Sequence, residues 1–153
     1  MEESPRHFFI GKSILDKGWL AEIKTGGPYL ILAEGVFMYL TEADVRELFG
    51  TIQKELGSAE IVCEVTNRYW VDKMNSAWMR NKFKRQLGMT GGAVFSFGIP
   101  DSSYFGSWSE KYQFLDDWTY FDDNEKKLGW FNLFASFRVL RKVQWTVHYR
   151  ITE

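Results

Sequence analysis

The sequence predicts an α/β fold: one domain over 1–153, with a mixed sheet and helices packed on it. Three observations carry this. "YLILA" (29–33) and "EIVCEV" (60–65) are short, nearly continuous apolar runs. Strands covered on both faces read this way, and such strands belong mostly to parallel sheets. Between them lies a strongly marked helix, so the order is strand, helix, strand, a βαβ unit with a right-handed crossover. Near the C-terminus Val143, Trp145, Val147, Tyr149 and Ile151 alternate with Gln144, Thr146, His148 and Arg150. Period two with one wetter face marks a strand, and it suits an antiparallel member at or near the margin of the sheet.

In chain order, "FFIGKSIL" (8–15) begins with a short strand before Gly11, and "DKGWLAEI" (16–23) supplies one or two helical turns. "KTGGP" (24–28) is a loop. The main helix runs from about 42 to 56. Thr41 and Asp44 have capping-box spacing. Val45, Leu48, Phe49, Ile52 and Leu56 form one apolar stripe. Gly57 stands where a left-handed residue ends a helix. Residues 67–88 are mixed and basic, helical in part. Residues 89–108 are rich in Gly and aromatics and read as loop with one short strand. Residues 107–118 predict a short helix and 122–129 a charged turn. Residues 130–142 predict a buried helix ending in basic residues, which suits its dipole.

Composition narrows the function. Charged residues make up 25% and the net charge is -1, so nothing points to nucleic acid or an anionic membrane surface. No apolar run approaches the ~20 residues of a bilayer span. The charged N-terminus lacks a signal-peptide core, so the expected location is the cytoplasm. Cys63 is the one cysteine and His7 and His148 are the two histidines, which argues against a metal centre. Aromatics reach 18%. They are either core and interface rings or the walls of a pocket for an apolar or planar ligand.

In open α/β sheets ligands bind beyond the carboxyl ends of the parallel strands. Glu34 stands there, followed by Gly35, and Glu64 ends the next run. Two such carboxylates suit a cationic or hydroxyl-bearing ligand. They also suit a plain structural role as caps or ion-pair partners. The usual phosphate-loop, dinucleotide, nucleophile-elbow and zinc motifs are absent.

The stretch "AEGVFMYLTEADVRELF" (33–49) resembles the Glu-Gly and Met-Tyr-Leu segment of the leucine carboxyl methyltransferase family. More narrowly it is similar to the bacterial and archaeal branch of polyketide O-methyltransferases of the tetracenomycin type. "SILDKGWL", "EIVCEVTNRY", "FGIPDSSYFGSW" and "VQWTVHYRI" resemble further pieces of that branch, so the resemblance runs from about residue 8 to 153. It implies a class I methyltransferase-like, Rossmann-like mixed sheet with a reversed last strand. It implies S-adenosylmethionine as methyl donor and a small-molecule carboxylate or hydroxyl as acceptor. By that resemblance Glu34, Gly35 and Tyr39 line the methionine end of the donor, with Val36 continuing the wall and Asp16 near the adenine end. Tyr104, Trp108 and Tyr112 belong to an aromatic cover on the acceptor side. The glycine-rich donor loop and first strands of the family precede the matched region and have no counterpart in this chain. The sheet is therefore expected to be incomplete, and its open edge implies a homodimer. A non-catalytic binding module derived from such an enzyme is the alternative, and a small aromatic-cavity carrier is a third.

Overall fold

The computed structural model describes residues 7, 9–23, 26–76, 95–122 and 141–153. The elements are helix α1 (Gly18–Ile23), strand β1 (Tyr29–Ala33), a 3-10 turn (Phe37–Tyr39), helix α2 (Glu42–Leu56), strand β2 (Ala59–Thr66), helix α3 (Arg68–Met74), a second 3-10 turn (Tyr104–Ser107), strand β3 (Tyr112–Trp118) and strand β4 (Gln144–Ile151). The four strands form one sheet in the order β1-β2-β4-β3. β1 and β2 are parallel, while β4 runs antiparallel to both β2 and β3. β3 therefore points the same way as β1 and β2, and the carboxyl ends of three strands share one side of the sheet.

Helix α2 forms where expected and for the expected reasons. The Thr41 side chain accepts from the Asp44 N–H at 3.2 Å, and the Asp44 carboxylate accepts from the Thr41 N–H at 2.9 Å. This closes a capping box. Val45, Leu48, Phe49 and Ile52 are all buried. At the far end Gly57 adopts φ +74° and its N–H returns to the Gln53 carbonyl at 2.9 Å.

The core lies between α2 and one face of the sheet. That face carries Ala33, then Ile61, Cys63 and Val65, then Trp145, Val147, Tyr149 and Ile151. Phe97, Phe105 and Tyr112 fill the layer beside α2, with Phe49 at its centre. Its ring lies 4.8 Å from Phe105 and 5.5 Å from Tyr112. Burial pushes the Cys63 thiol well above its ordinary range, so it is a small core hydrophobe and not a reactive group. Among the described residues no helix is long and apolar enough to cross a membrane.

Several expectations change. Among the described residues β1 is an edge strand, and it is not covered on both faces: Leu30 is 61% and Leu32 71% exposed. A continuous apolar run does not say which of its faces a layer reaches. Residues 112–118 are a strand instead of part of a short helix. Pairing with β4 decides this, and a bulge between Phe114 and Asp116 interrupts the period that would have revealed it. The last strand is near the margin as expected, one place in and antiparallel to both neighbours. Phe9 and Ile10 belong to no named strand. In the described part of 89–108, residues 95–108, the pairing is a single parallel bridge, Asn67 with Ile99. Within 67–88 the helix is Arg68–Met74, and residues 77–94 lie outside the described residues. So do 123–140, which hold the charged turn and most of the expected buried helix.

The bridge brings two backbones close together. The Ile99 N–H donates to the Thr66 carbonyl at 2.9 Å, and the Arg68 N–H to the Ile99 carbonyl at 3.0 Å. A Cβ at Gly98 would stand 2.9 Å from both the Thr66 carbonyl oxygen and the Arg68 nitrogen. Gly98→Ala is expected to lower stability by about 1–3 kcal/mol through this crowding. Gly11→Ala, where a Cβ meets nothing, is expected to stay within about 0.5 kcal/mol of the parent. Urea denaturation of both variants checks the contrast.

Candidate functional site

The shared carboxyl ends of β1, β2 and β3 carry two groups of polar side chains. The first surrounds the turn after β1. Glu34 is exposed, and among the described residues its carboxylate makes no hydrogen bond or ion pair. Gly35 adopts φ +65°, a left-handed conformation that glycine takes at little cost. A Cβ built there would meet nothing within 4 Å, so the turn faces open space. The Gly35 N–H donates to Glu64 Oε2 at 3.0 Å, and the Tyr120 hydroxyl donates to Glu64 Oε1 at 3.1 Å. Glu64 itself is 8% exposed. Burial, the hydrogen bond to Glu64 and the charges of Glu64 and Glu34 together push the Tyr120 phenol above its ordinary range. Tyr120 thus stays a protonated donor across neutral pH.

The same turn continues into an aromatic wall. Tyr39 stacks on Phe95 with ring centroids 5.6 Å apart and planes at 19°. The Met38 carbonyl holds that second segment by accepting from the Ser96 N–H at 2.8 Å and the Phe97 N–H at 3.3 Å. Val36 is half-buried and packs on the core.

The second group sits at the N-terminus of α2. Glu42 accepts from Arg68 at 2.8 Å, from the Tyr104 hydroxyl at 2.8 Å and from Arg46 at 3.2 Å. Arg68 also donates from Nε to the Gly98 carbonyl at 2.7 Å. Burial alone would raise the Glu42 carboxyl, but the hydrogen bonds from Arg68, Tyr104 and Arg46 outweigh it and hold the group below the usual range. This network ties α2, α3 and the 97–105 loop together.

The site residues expected from the sequence divide accordingly. Glu34 and Gly35 form the turn after β1, and Tyr39 ends the 3-10 turn that follows it. Asp16 is exposed just before α1, and its Oδ1 accepts the Gly18 N–H at 2.9 Å. Tyr104 reaches the strand-end side through Glu42. Trp108 and Tyr112 lie progressively further down α2. Arg46 sits 4.6 Å over the Trp108 ring, and the Tyr112 hydroxyl meets Gln53 at 3.4 Å. Residue 53 is about 16 Å along the helix axis from residue 42. Tyr112 is 8% exposed and serves as a core ring. The three aromatics are spread along α2.

Tyr120 escaped sequence reasoning, since nothing local marks it. Only the pairing of β3 with β4 carries it toward β2: Trp118 and Glu64 both register with Thr146. A third cluster was also unmarked. The Ser102 hydroxyl donates to Asp117, and accepts from Lys142 at 2.7 Å and Trp145 Nε1 at 3.0 Å. A serine beside a lysine suggests a nucleophile, but this oxygen has its donor and both lone pairs engaged. The cluster fastens the 100–103 loop to β3 and β4. Among the described residues no group of His, Cys, Asp and Glu converges to hold a metal.

No family model matches the chain. The tetracenomycin polyketide synthesis O-methyltransferase TcmP of Streptomyces glaucescens is 26% identical over 113 residues, which cover 74% of this chain and 39% of that protein. The chain thus spans about two fifths of the length of the curated relative it matches. A solved structure of a DUF574 family protein from Streptomyces avermitilis superposes with a TM-score of 0.54 at 7% identity, over 92% of this chain and 53% of that one. The fold is a mixed α/β sheet with a reversed last strand, shared with the DUF574 family structure, and the sequence is similar to part of an O-methyltransferase.

The Glu42 network gives stability a defined pH dependence. A carboxyl held low in the folded state contributes fully above its unfolded value of about 4.3. That contribution fades as pH falls through the lower folded value. Glu42→Gln is expected to cost about 1 kcal/mol at pH 7, in keeping with a partly exposed network. The gap between parent and variant is expected to narrow as pH falls below the unfolded value of about 4.3. Thermal unfolding over a pH series measures it.

Proposed function

We propose that this chain works as an S-adenosylmethionine-dependent O-methyltransferase of the leucine carboxyl methyltransferase kind, or as the acceptor-side portion of one. The acceptor is a carboxylate or hydroxyl of a small molecule. One observation carries the reading: an unpaired, exposed carboxylate, Glu34, stands beside an open left-handed glycine where three strand ends meet. The similarity to a polyketide O-methyltransferase supports it.

The residues present suit the methionine end of such a donor. Glu34 offers a negative charge to an ammonium and a sulfonium. Gly35 leaves room for a close approach, and the Tyr39–Phe95 stack supplies an apolar wall beside the charge. When bound, the donor supplies an electrophilic methyl group on sulfur that passes to an acceptor oxygen by in-line displacement. Such a transfer asks the protein mainly for positioning and electrostatics, and the network around Glu42 provides rigidity. An acceptor carboxylate arrives already deprotonated, so the absence of a nucleophile–base pair among the described residues fits the reaction.

Titration of the purified chain with S-adenosylhomocysteine by calorimetry tests this. Micromolar binding is expected, weakened about tenfold or more in Glu34→Ala, the size of one lost charge-assisted contact. A parent protein that binds nothing refutes stand-alone methyl transfer and favours a non-catalytic binding module.

We further propose that the chain pairs with a second copy through β1. The two margins of the sheet differ. β3 carries a bulge and the paired charges Asp116 and Asp117, devices that discourage strand addition. β1 has no charge and no bulge, and it exposes Leu30 and Leu32. Antiparallel pairing about Ile31 would set Leu30 of each copy against Leu32 of the other. Sedimentation velocity is expected to show a dimer, and Leu32→Lys is expected to shift it to monomer with the circular dichroism spectrum unchanged.

A further inference from the structure

The buried carboxylate of Glu64 is unusual in its partners. It is 8% exposed at the end of β2, between the buried Cys63 and Val65. A buried charge needs compensation. Among the described residues Glu64 makes no ion pair; neutral donors compensate it, one for each oxygen. The Gly35 N–H comes from the turn after β1 at 3.0 Å, and the Tyr120 hydroxyl comes from the segment after β3 at 3.1 Å. One side chain thus joins the ends of three strands.

We propose that Glu64 is a positioning residue for the donor site: it holds the Glu34–Gly35 turn, with Tyr120 as its second anchor, and leaves Glu34 as the carboxylate that meets the ligand. The proposal rests on the donor reading given above. The turn is left-handed at Gly35, so its amide points inward to Glu64 while the preceding side chain, Glu34, stands outward in solvent. Without the inward anchor the turn is free to rotate, and the single outward charge loses its fixed direction. Preorganisation of this kind is worth more than its own hydrogen bond, because a misdirected charge contributes little to binding. The two strand-end carboxylates therefore have different tasks. Glu64 has its oxygens engaged from within, and Glu34 is free.

Two readouts test this, one of them independent of ligand. Amide exchange at Gly35, followed by NMR in the ligand-free protein, is expected to quicken about tenfold in Glu64→Gln, the scale of one lost hydrogen bond to a charged group. A smaller increase is expected in Tyr120→Phe. Calorimetry with S-adenosylhomocysteine is expected to show about tenfold weaker binding in Glu64→Gln, and less than about twofold further loss when that change is added to Glu34→Gln. Such non-additivity marks a residue that acts through Glu34, and a purely structural role would not produce it. Unchanged Gly35 exchange in a folded Glu64→Gln protein overturns the proposal, as do additive effects in the double variant. If Glu64→Gln does not fold, Tyr120→Phe carries the same comparison from the surface. Parent-like exchange and binding in that variant overturn the proposal equally. Failure of the donor reading appears elsewhere, as a parent protein that binds no S-adenosylhomocysteine.

Discussion

The rest of the molecule depends on one reversed strand. β4 lies between β2 and β3 and pairs antiparallel with both. Its inward side chains, Trp145, Val147, Tyr149 and Ile151, are each at most 1% exposed. This placement has a geometric result. A strand reversed between two others makes those two point the same way, so β3 delivers its carboxyl end to the side where β1 and β2 already end. The meeting of Tyr120 with Glu64 across 56 residues of sequence follows from that reversal. Tyr149 adds a second hold, since its hydroxyl donates to the Ser102 carbonyl. Burial pushes that phenol up to about 12, and it remains a donor throughout the physiological range.

Around this frame the polar groups are sorted by task. Glu42 is spent on three donors that tie helices to loop. Glu64 is spent on an amide and a phenol. Asp117 is spent on Lys142 and Ser102. Burial would raise the Asp117 carboxyl, but these two hydrogen bonds hold it below its ordinary range. Against that background an exposed carboxylate with no partner among the described residues stands out. Glu34 is distinguished less by its position after a strand than by the engagement of its neighbours.

The sequence made some of this legible and hid the rest for physical reasons. Helix α2 was readable to the residue because its signals are local: a cap, a stripe at helical spacing and a terminal glycine. β4 was readable because strict alternation survives in a strand with one wet face. β3 was not, because its bulge breaks the alternation and its stability comes from a partner more than twenty residues away. The exposure of Leu30 and Leu32 was hidden because apolar composition records affinity for a core and not which layer arrives. At the site, the Glu34–Gly35 turn was legible as a glycine and a carboxylate after an apolar run. The contacts of Asp16 and Tyr112 were not. One meets an N–H two residues away, and the other takes its place from a helix against which the ring packs.

The two margins of the sheet also set how the molecule can associate. One edge presents unbroken apolar backbone at β1, and the other is bent and doubly acidic at Phe114 to Asp117. A sheet with two receptive edges can add copies without limit and becomes a fibre. A sheet with one receptive edge consumes it in the first encounter and presents only repelling edges afterwards. On the proposed pairing through β1, the bulge in β3 acts as a chain terminator for assembly: it makes the symmetric pair the end point of growth.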